Sequence, residues 1–329
     1  MEFLAIGDIV TEPFIRLKDA RVHCNINDKD CEICMRWGDK VPYEFSTVCA
    51  AVGNASNAAV TAARLGLSSA LRAYVGRDAY GAECIEVLRK EGVDTAYVVT
   101  QDGKRTNYHY VLWFESQRTI LVKHEEFDYC VPALASEPVW IYFSSLAANA
   151  LPYHNALLEW LKKYPQAKVA FQPGTFQIQM GKEALAEIYQ RSDIFFCNKE
   201  ESERILGLPT GQDIKQLLTQ IKALGPKIAV ITDDKRGCYA IDEQGAMLRC
   251  PRYPDPKEPY EITGAGDALA STTVAALSLG LPLDEALRWG SANASAVIQE
   301  IGAQKGLLTR AQLEERLKNP PAEFLVEAF

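Results

Sequence analysis

The sequence predicts an α/β protein built on a doubly wound, mainly parallel central sheet flanked by helices, with a small β-sheet lid. Two observations predict the main sheet. From Val139 onward, short apolar runs alternate with amphipathic stretches of helical period, and strands that alternate with helices form βαβ crossovers. The runs themselves are almost wholly apolar, as strands covered on both faces must be. A third observation predicts the lid: two intervals break this rhythm, and one of them carries β-type patterns.

In chain order, Met1 to Asp8 reads as a first strand and lacks the basic start and long apolar stretch of a secretion signal. Residues from about 11 to 48 form a long interval with Pro13, Gly38 and Pro42. In the second interval, 106–123, the runs Tyr108 to Phe114 and Arg118 to Val122 flank the polar Glu115-Ser116-Gln117, which predicts a hairpin. A hairpin so rich in aromatics needs a cover, so the two intervals are expected to form one lid inserted in a single domain of residues 1–329 and shared with a second copy in a homodimer. The main rhythm then runs through strands 139–143, 168–171, 193–197 and 228–232 and helices 153–163, 182–190, 200–206 and 213–224. Ligands bind beyond the carboxyl ends of such strands, where Asp8, Gln172, Asn198 and Thr232-Asp233 stand.

Composition excludes several classes of function. A 48% hydrophobic, 24% charged chain without a long apolar run is not a membrane protein. A net charge of −8 with no block of Lys or Arg argues against a nucleic-acid partner. Nine cysteines without a secretion signal read as reduced thiols in a cytoplasm. Cys24, Cys31 and Cys34 cluster tightly enough to begin a zinc site, but His23, the one further ligand nearby, is adjacent to Cys24 and awkward for chelation with it. The expectation is a lid loop without metal.

The chemistry concentrates in Glu261-Ile262-Thr263-Gly264-Ala265-Gly266-Asp267 and the small, apolar helix that follows. Small residues let a phosphate approach the backbone, and the first amides of a helix bind anions. A carboxylate beside an anion site suits general-base work on an alcohol. The segment also reads as a glycine turn with Asp267 capping the helix, and by itself it permits both.

Thr263-Gly264-Ala265-Gly266-Asp267 resembles the carboxy-terminal signature of the ribokinase-like (PfkB-type) carbohydrate kinase family. Val52 to Val60, Ala62 to Gly66 and Val75 to Gly81 resemble its amino-terminal glycine-asparagine segment, and Asn198-Lys199-Glu200-Glu201 its Asn-x-x-Glu. The three occur in the family's order and spacing over nearly the whole chain. The resemblance implies ATP as donor, Mg²⁺ as cofactor and a small sugar or nucleoside as acceptor. It implies Asp267 as general base, with Gly264, Ala265 and Gly266 as the anion turn. Asp8, Asn57 and the backbone near Gly53 and Asn54 would bind substrate hydroxyls. Asn198 and Glu201 would hold Mg²⁺ and phosphate through water. Thr232, Asp233 and Gly237 would bind the nucleotide, with Asn293 near adenine.

Three departures bear on that pattern. Val52 stands for the usual paired glycine, Asp234 for a glycine of the nucleotide turn, and Glu261-Ile262 for the Asp-Thr beside which many relatives bind a monovalent cation. The chain lacks the Gly-x-x-x-x-Gly-Lys-Ser/Thr loop, the protein-kinase motifs and the dinucleotide-binding glycine fingerprint after the first strand. The leading reading is a sugar kinase; the alternatives are a nucleoside kinase on the same fold and a catalytically silent sugar-binding regulator. Asp267 speaks against the last, since binding alone needs no base.

Overall fold

The computed structural model describes residues 1–24, 31–115 and 117–329. Along the chain these residues form strands β1 (Phe3–Ile6), β2 (Val10–Leu17), β3 (Arg21–His23), β4 (Glu32–Cys34), β5 (Tyr43–Val52), β6 (Ser69–Arg72), β7 (Tyr74–Gly76), β8 (Val99–Gln101), β9 (Asn107–Tyr108), β10 (Tyr110–Phe114) and β11 (Gln117–Leu121). The second half adds β12 (Trp140–Phe143), β13 (Lys168–Phe171), β14 (Ile194–Asn198), β15 (Ile228–Thr232), β16 (Cys238–Ile241), β17 (Met247–Cys250) and β18 (Glu327–Ala328).

The main sheet has the order β18-β17-β16-β15-β14-β13-β12-β1-β6. From β6 to β15 the neighbours are parallel, and β16, β17 and β18 close the far edge antiparallel. The alternation of strand residues explains why it is buried on both faces. In β1, Phe3 and Ala5 enter one hydrophobic cluster while Leu4 and Ile6 enter the other, and all four are inaccessible to solvent or nearly so. Helices cover each face. Helix α1 (Asn54–Arg64) packs beside the long pair Ala265–Ser278 and Leu283–Val297. The expected helix over 182–190 is shortened to Ala186–Arg191 and is preceded by another short one, Thr175–Met180. Gly181, with φ +88°, ends the latter, because a left-handed residue cannot continue an α-helix. None of the described helices is long and apolar enough to cross a membrane.

The second sheet joins the two intervals that broke the sequence rhythm. β2 pairs antiparallel with β5 and parallel with β10, β10 pairs antiparallel with β11, and β9 pairs with β2. The hairpin expected over 108–122 is present as β10 and β11; Ser116 and residues 25–30 lie outside the described residues.

The reading of every cysteine as a reduced thiol is corrected at one pair, since Cys24 and Cys31 form a disulfide. The reason is the β3–β4 ladder. His23 lies opposite Glu32, so the next positions, Cys24 and Cys31, face each other at bonding distance. This removes two of the three clustered thiols from any zinc ligand set in this state.

Candidate active site

A cleft of about 800 Å³ lies between the carboxyl ends of the main-sheet strands and the inner face of the second sheet. Its floor is the start of α8, as we call Ala265–Ser278, counting α2 (Ala79–Lys90), α3 (Leu151–Leu161), α4 (Thr175–Met180), α5 (Ala186–Arg191), α6 (Lys199–Leu206) and α7 (Ile214–Ala223) before it. Gly264 precedes α8 with φ +83°, and a Cβ there would stand 2.5 Å from Ala303 Cβ, so only glycine makes this turn. The first helical bond runs from the Ala268 amide to the Gly264 carbonyl at 2.8 Å. The amides of Ala265, Gly266 and Asp267 thus have no partner within the helix. In front of Gly266 nothing lies within 4 Å of where a Cβ would project.

The Asp267 carboxylate does not cap this helix, which has no side-chain cap bond. It accepts from three side-chain amides instead: Asn54 Nδ2 at 2.8 Å and Gln172 Nε2 at 3.0 Å on Oδ1, and Asn57 Nδ2 at 2.7 Å on Oδ2. Oδ1 is saturated and Oδ2 keeps one lone pair for another donor. Withdrawal from water raises the pKa of this group above the usual aspartate value, and the bonds from Asn57, Gln172 and Asn54 oppose that rise.

Two of these amides are oriented by what their oxygens accept. Asn57 Oδ1 takes a bond from Gln304 Nε2 at 3.0 Å, and Gln172 Oε1 takes the Tyr142 hydroxyl proton, so both present their NH₂ groups to Asp267. Asn54 and Asn57 stand on the first turn of α1, which Gly53 starts with φ +112° and a Cβ position 2.9 Å from the Asp8 carbonyl oxygen. The close approach of Gly53 to Asp8 sets α1 against the end of β1.

On the other side of the cleft, Asn198 and Glu201 form a reciprocal capping box at the start of α6. Asn198 Oδ1 accepts from the Glu201 amide at 2.7 Å, and Glu201 Oε2 accepts from the Asn198 amide at 2.9 Å. Both line the cleft. Glu201 Oε1 has no hydrogen-bond partner among the described residues, and burial raises the pKa of this carboxyl. Thr232 and Gly237 also line the cleft, whereas Asp233 is turned to Arg236 at 3.1 Å and does not.

Asn293 is not at the cleft, which corrects its expected place near adenine. On α9 (Leu283–Val297) the cleft-facing positions are Ser291, Ala294 and Ser295, followed by Ile298, the i, i+3, i+4, i+7 stripe of one helix face. Asn293 points away from it, fully buried, donating to Thr272 Oγ1 at 2.8 Å and accepting from the Leu308 amide at 2.9 Å. It ties α9 to α8 and to the segment before α10 (Arg310–Lys318).

Asp8 is also differently engaged than expected. It is 4% exposed, with Oδ2 2.8 Å from His124 Nδ1 and both oxygens 3.0 Å from the Tyr129 hydroxyl. Beside it, His109 Nδ1 lies 3.6 Å from Glu12 Oε1, and His109 Nε2 is buried without a hydrogen-bond partner among the described residues. Phe176 is the aromatic wall of this end; Tyr108, Tyr110 and Trp113 do not line the cleft.

A family search matches residues 23–310 to the model described as pfkB family carbohydrate kinase. The chain belongs to that family. Among PfkB relatives it is 26% identical over 286 residues to the 5-dehydro-2-deoxygluconokinase of Bacillus subtilis, covering 81% of this chain and 86% of that one. It is 28% identical over 278 residues to the nucleoside kinase of Methanocaldococcus jannaschii, covering 81% and 85%. The ribokinase of Arabidopsis thaliana, solved with ribose and ATP, superposes with a TM-score of 0.77 at 18% identity over 95% of this chain and 97% of that one, a likeness of fold. This PfkB protein is therefore a kinase of the sugar or nucleoside class, a phosphotransferase with an alcohol acceptor.

The departures from the PfkB pattern now have structural accounts. Asp234 takes the positive φ, +43°, that a glycine would take more easily, and its exposed side chain leans toward Arg252 at 3.9 Å. Glu261 is fully buried; Oε1 accepts from the Thr263 amide at 2.8 Å and hydroxyl at 2.6 Å, holding the segment that leads into the turn, while Oε2 has no hydrogen-bond partner among the described residues. Val52 is buried and leaves the sharp turn to Ala51, φ +61°, and Gly53.

The sequence reading missed His109, His124, Tyr129, Glu12, Arg118 and Phe176. One signal was present. Arg118, Ile120, Val122 and His124 are spaced by two, so continuing the β11 alternation would have carried His124 to the same face as Arg118, and all four line the cleft.

Proposed function

We propose that this protein transfers the γ-phosphate of ATP to a hydroxyl of a sugar or sugar-like acceptor, with Asp267 as general base. The observation that carries this reading is the Asp267 carboxylate, held by three amides with one Oδ2 lone pair free, at the start of a helix whose first three amides have no partner within the helix. The acceptor hydroxyl gives its proton to Oδ2 as its oxygen bonds the γ-phosphorus. The bond to the β-phosphate oxygen breaks, and ADP leaves. Negative charge on the transferring group meets the amides of Ala265, Gly266 and Asp267, which are already in place and need no reorganisation. The residues fit a magnesium ion that keeps much of its water, since Glu201 Oε1 and Asn198 offer oxygen at the cleft wall without forming a dedicated cage. Bound Mg²⁺ would neutralise phosphate charge; Asn198 and Glu201 would orient its water.

The sugar reading is favoured over the nucleoside one because polar groups, Asp8, Glu12, Asn54, Asn57, His109 and His124, line the acceptor end, where Phe176 packs edge-on against His124. A coupled ADP-release screen over pentoses, hexoses, sugar acids, phosphorylated sugars and nucleosides tests it. ADP release with none of them would end the kinase reading, and release with nucleosides alone would select the alternative.

Two predictions arise here. The orphaned Glu261 Oε2 is the kind of buried donor a monovalent cation would complete. Turnover should rise severalfold when choline chloride is replaced by potassium chloride at equal ionic strength; equal rates would dismiss the cation. The outer face of the second sheet exposes Tyr43, Val48, Tyr110 and Leu121, an apolar set that a second copy would cover. Light scattering should report a dimer at micromolar protein, and a monomer at every concentration would reject the shared lid.

A further inference from the structure

We propose that His124 touches the acceptor, with Asp8, backed by Tyr129, fixing its ring. The proposal rests on the kinase reading above and concerns the acceptor end of the same cleft.

Hydrogen-bond accounting at Asp8 comes first. Its carboxylate only accepts, so at 2.8 Å His124 Nδ1 must be the donor. The Tyr129 hydroxyl has one proton and lies 3.0 Å from both Asp8 oxygens, while its own oxygen accepts from the Ala147 amide at 3.2 Å. Burial and the facing Asp8 carboxylate hold the Tyr129 pKa far above the phenol range, so this hydroxyl stays a donor. Asp8 is thus engaged by two side chains and almost closed to solvent. Asp8 nonetheless lines the cleft and keeps lone pairs beyond these two donors, so it can hold the His124 ring and still face the acceptor.

His124 has the complementary arrangement. In the neutral ring that donates from Nδ1 to Asp8, Nε2 carries the lone pair, and Nε2 has no partner among the described residues. The residue lines the cleft. Its ring is fixed by the edge-on Phe176 at 5.2 Å and by His109 at 5.0 Å. The backbone is fixed too: the next amide, of Glu125, donates to Asn107 Oδ1 at 2.7 Å, while Asn107 Nδ2 donates to the Ile9 carbonyl at 3.1 Å. Asn107 therefore pins the chain at His124 to the chain at Asp8. A group held on this many sides, with one polar atom left open toward a substrate cleft, is built to accept a hydrogen bond from a hydroxyl of the acceptor.

Two substitutions separate the roles. His124→Asn keeps an amide nitrogen near Nδ1, and so the link to Asp8, but has nothing at the Nε2 position. His124→Gln reaches the Nε2 position but gives up the link. With the best acceptor from the screen, His124→Asn should raise the acceptor KM about tenfold, the loss of one buried hydrogen bond. The KM for ATP should stay within about twofold, and His124→Gln should retain more acceptor affinity than His124→Asn. The opposite ranking, with His124→Asn near normal and His124→Gln impaired, would mean that His124 merely supports Asp8 and would overturn the proposal. A wild type that releases ADP with no acceptor would instead remove the kinase reading, and this proposal with it.

Discussion

Asp267→Asn is expected to lower kcat by roughly 10²–10⁴ while leaving ATP affinity, measured by calorimetry, close to that of the wild type. The substitution keeps the shape of the side chain and removes its basicity. A helix cap would tolerate it, but Asp267 makes no cap bond, so capping provides no route to a neutral outcome. Its stability effects oppose each other. The folded-state pKa is raised by burial, so the charged form is disfavoured by folding; that cost is fully present above the folded pKa and absent below the unfolded one, and asparagine removes it. Against this, the new NH₂ must face one of three amide donors, and Asn57 cannot turn its oxygen toward it without losing Gln304. An unmade bond of this kind costs about 1–3 kcal/mol. The melting temperature should therefore move little while turnover collapses. In the wild type, activity requires the ionised base, so the acid limb of kcat/KM should fall at a pH above the ordinary aspartate range as protonation proceeds. Near-normal turnover in Asp267→Asn would remove the base from the mechanism.

How much of this was legible in the sequence follows from the range of each interaction. The main sheet was readable because a strand buried on both faces leaves a local mark: β12 to β15 are apolar runs, each ended by a polar residue. The three amides around Asp267 were readable in part, since Asn54 and Asn57 lie in a glycine-bounded segment and Gln172 ends a strand. Asn293 misled because α9 is lined with small residues all round, so its sequence does not say which face meets the cleft and which meets α8. His124 and Tyr129 reach Asp8 from 116 and 121 residues away. No local pattern encodes that meeting, which depends on Asn107 joining the two stretches. The Cys24–Cys31 bond depends likewise on a ladder register, which cysteine spacing alone does not supply.

Gly266→Val should separate function from fold at the anion turn. Gly264 and Gly266 look alike in sequence but are kept for different reasons. At Gly264 the backbone is left-handed and a Cβ would press against Ala303, so valine there should destabilise the protein outright. Gly266 is helical, exposed and has nothing within 4 Å of a Cβ, so the fold makes no demand for glycine. Valine has a somewhat better helix propensity than glycine, and the melting temperature should be unchanged or slightly higher. Its two methyl groups would, however, fill the space in front of the Ala265, Gly266 and Asp267 amides. An anion kept from those donors loses the stabilisation that preorganised amides give a transition state, and removal of one such donor costs about 10²–10³ in kcat. We expect Gly266→Val to lose at least that much turnover with Asp267 intact and the fold unharmed, measured as ADP release beside a thermal melt. Normal turnover in this variant would show that the transferring phosphate does not approach these amides, and the charge-stabilising half of the proposed mechanism would have to be placed elsewhere in the cleft.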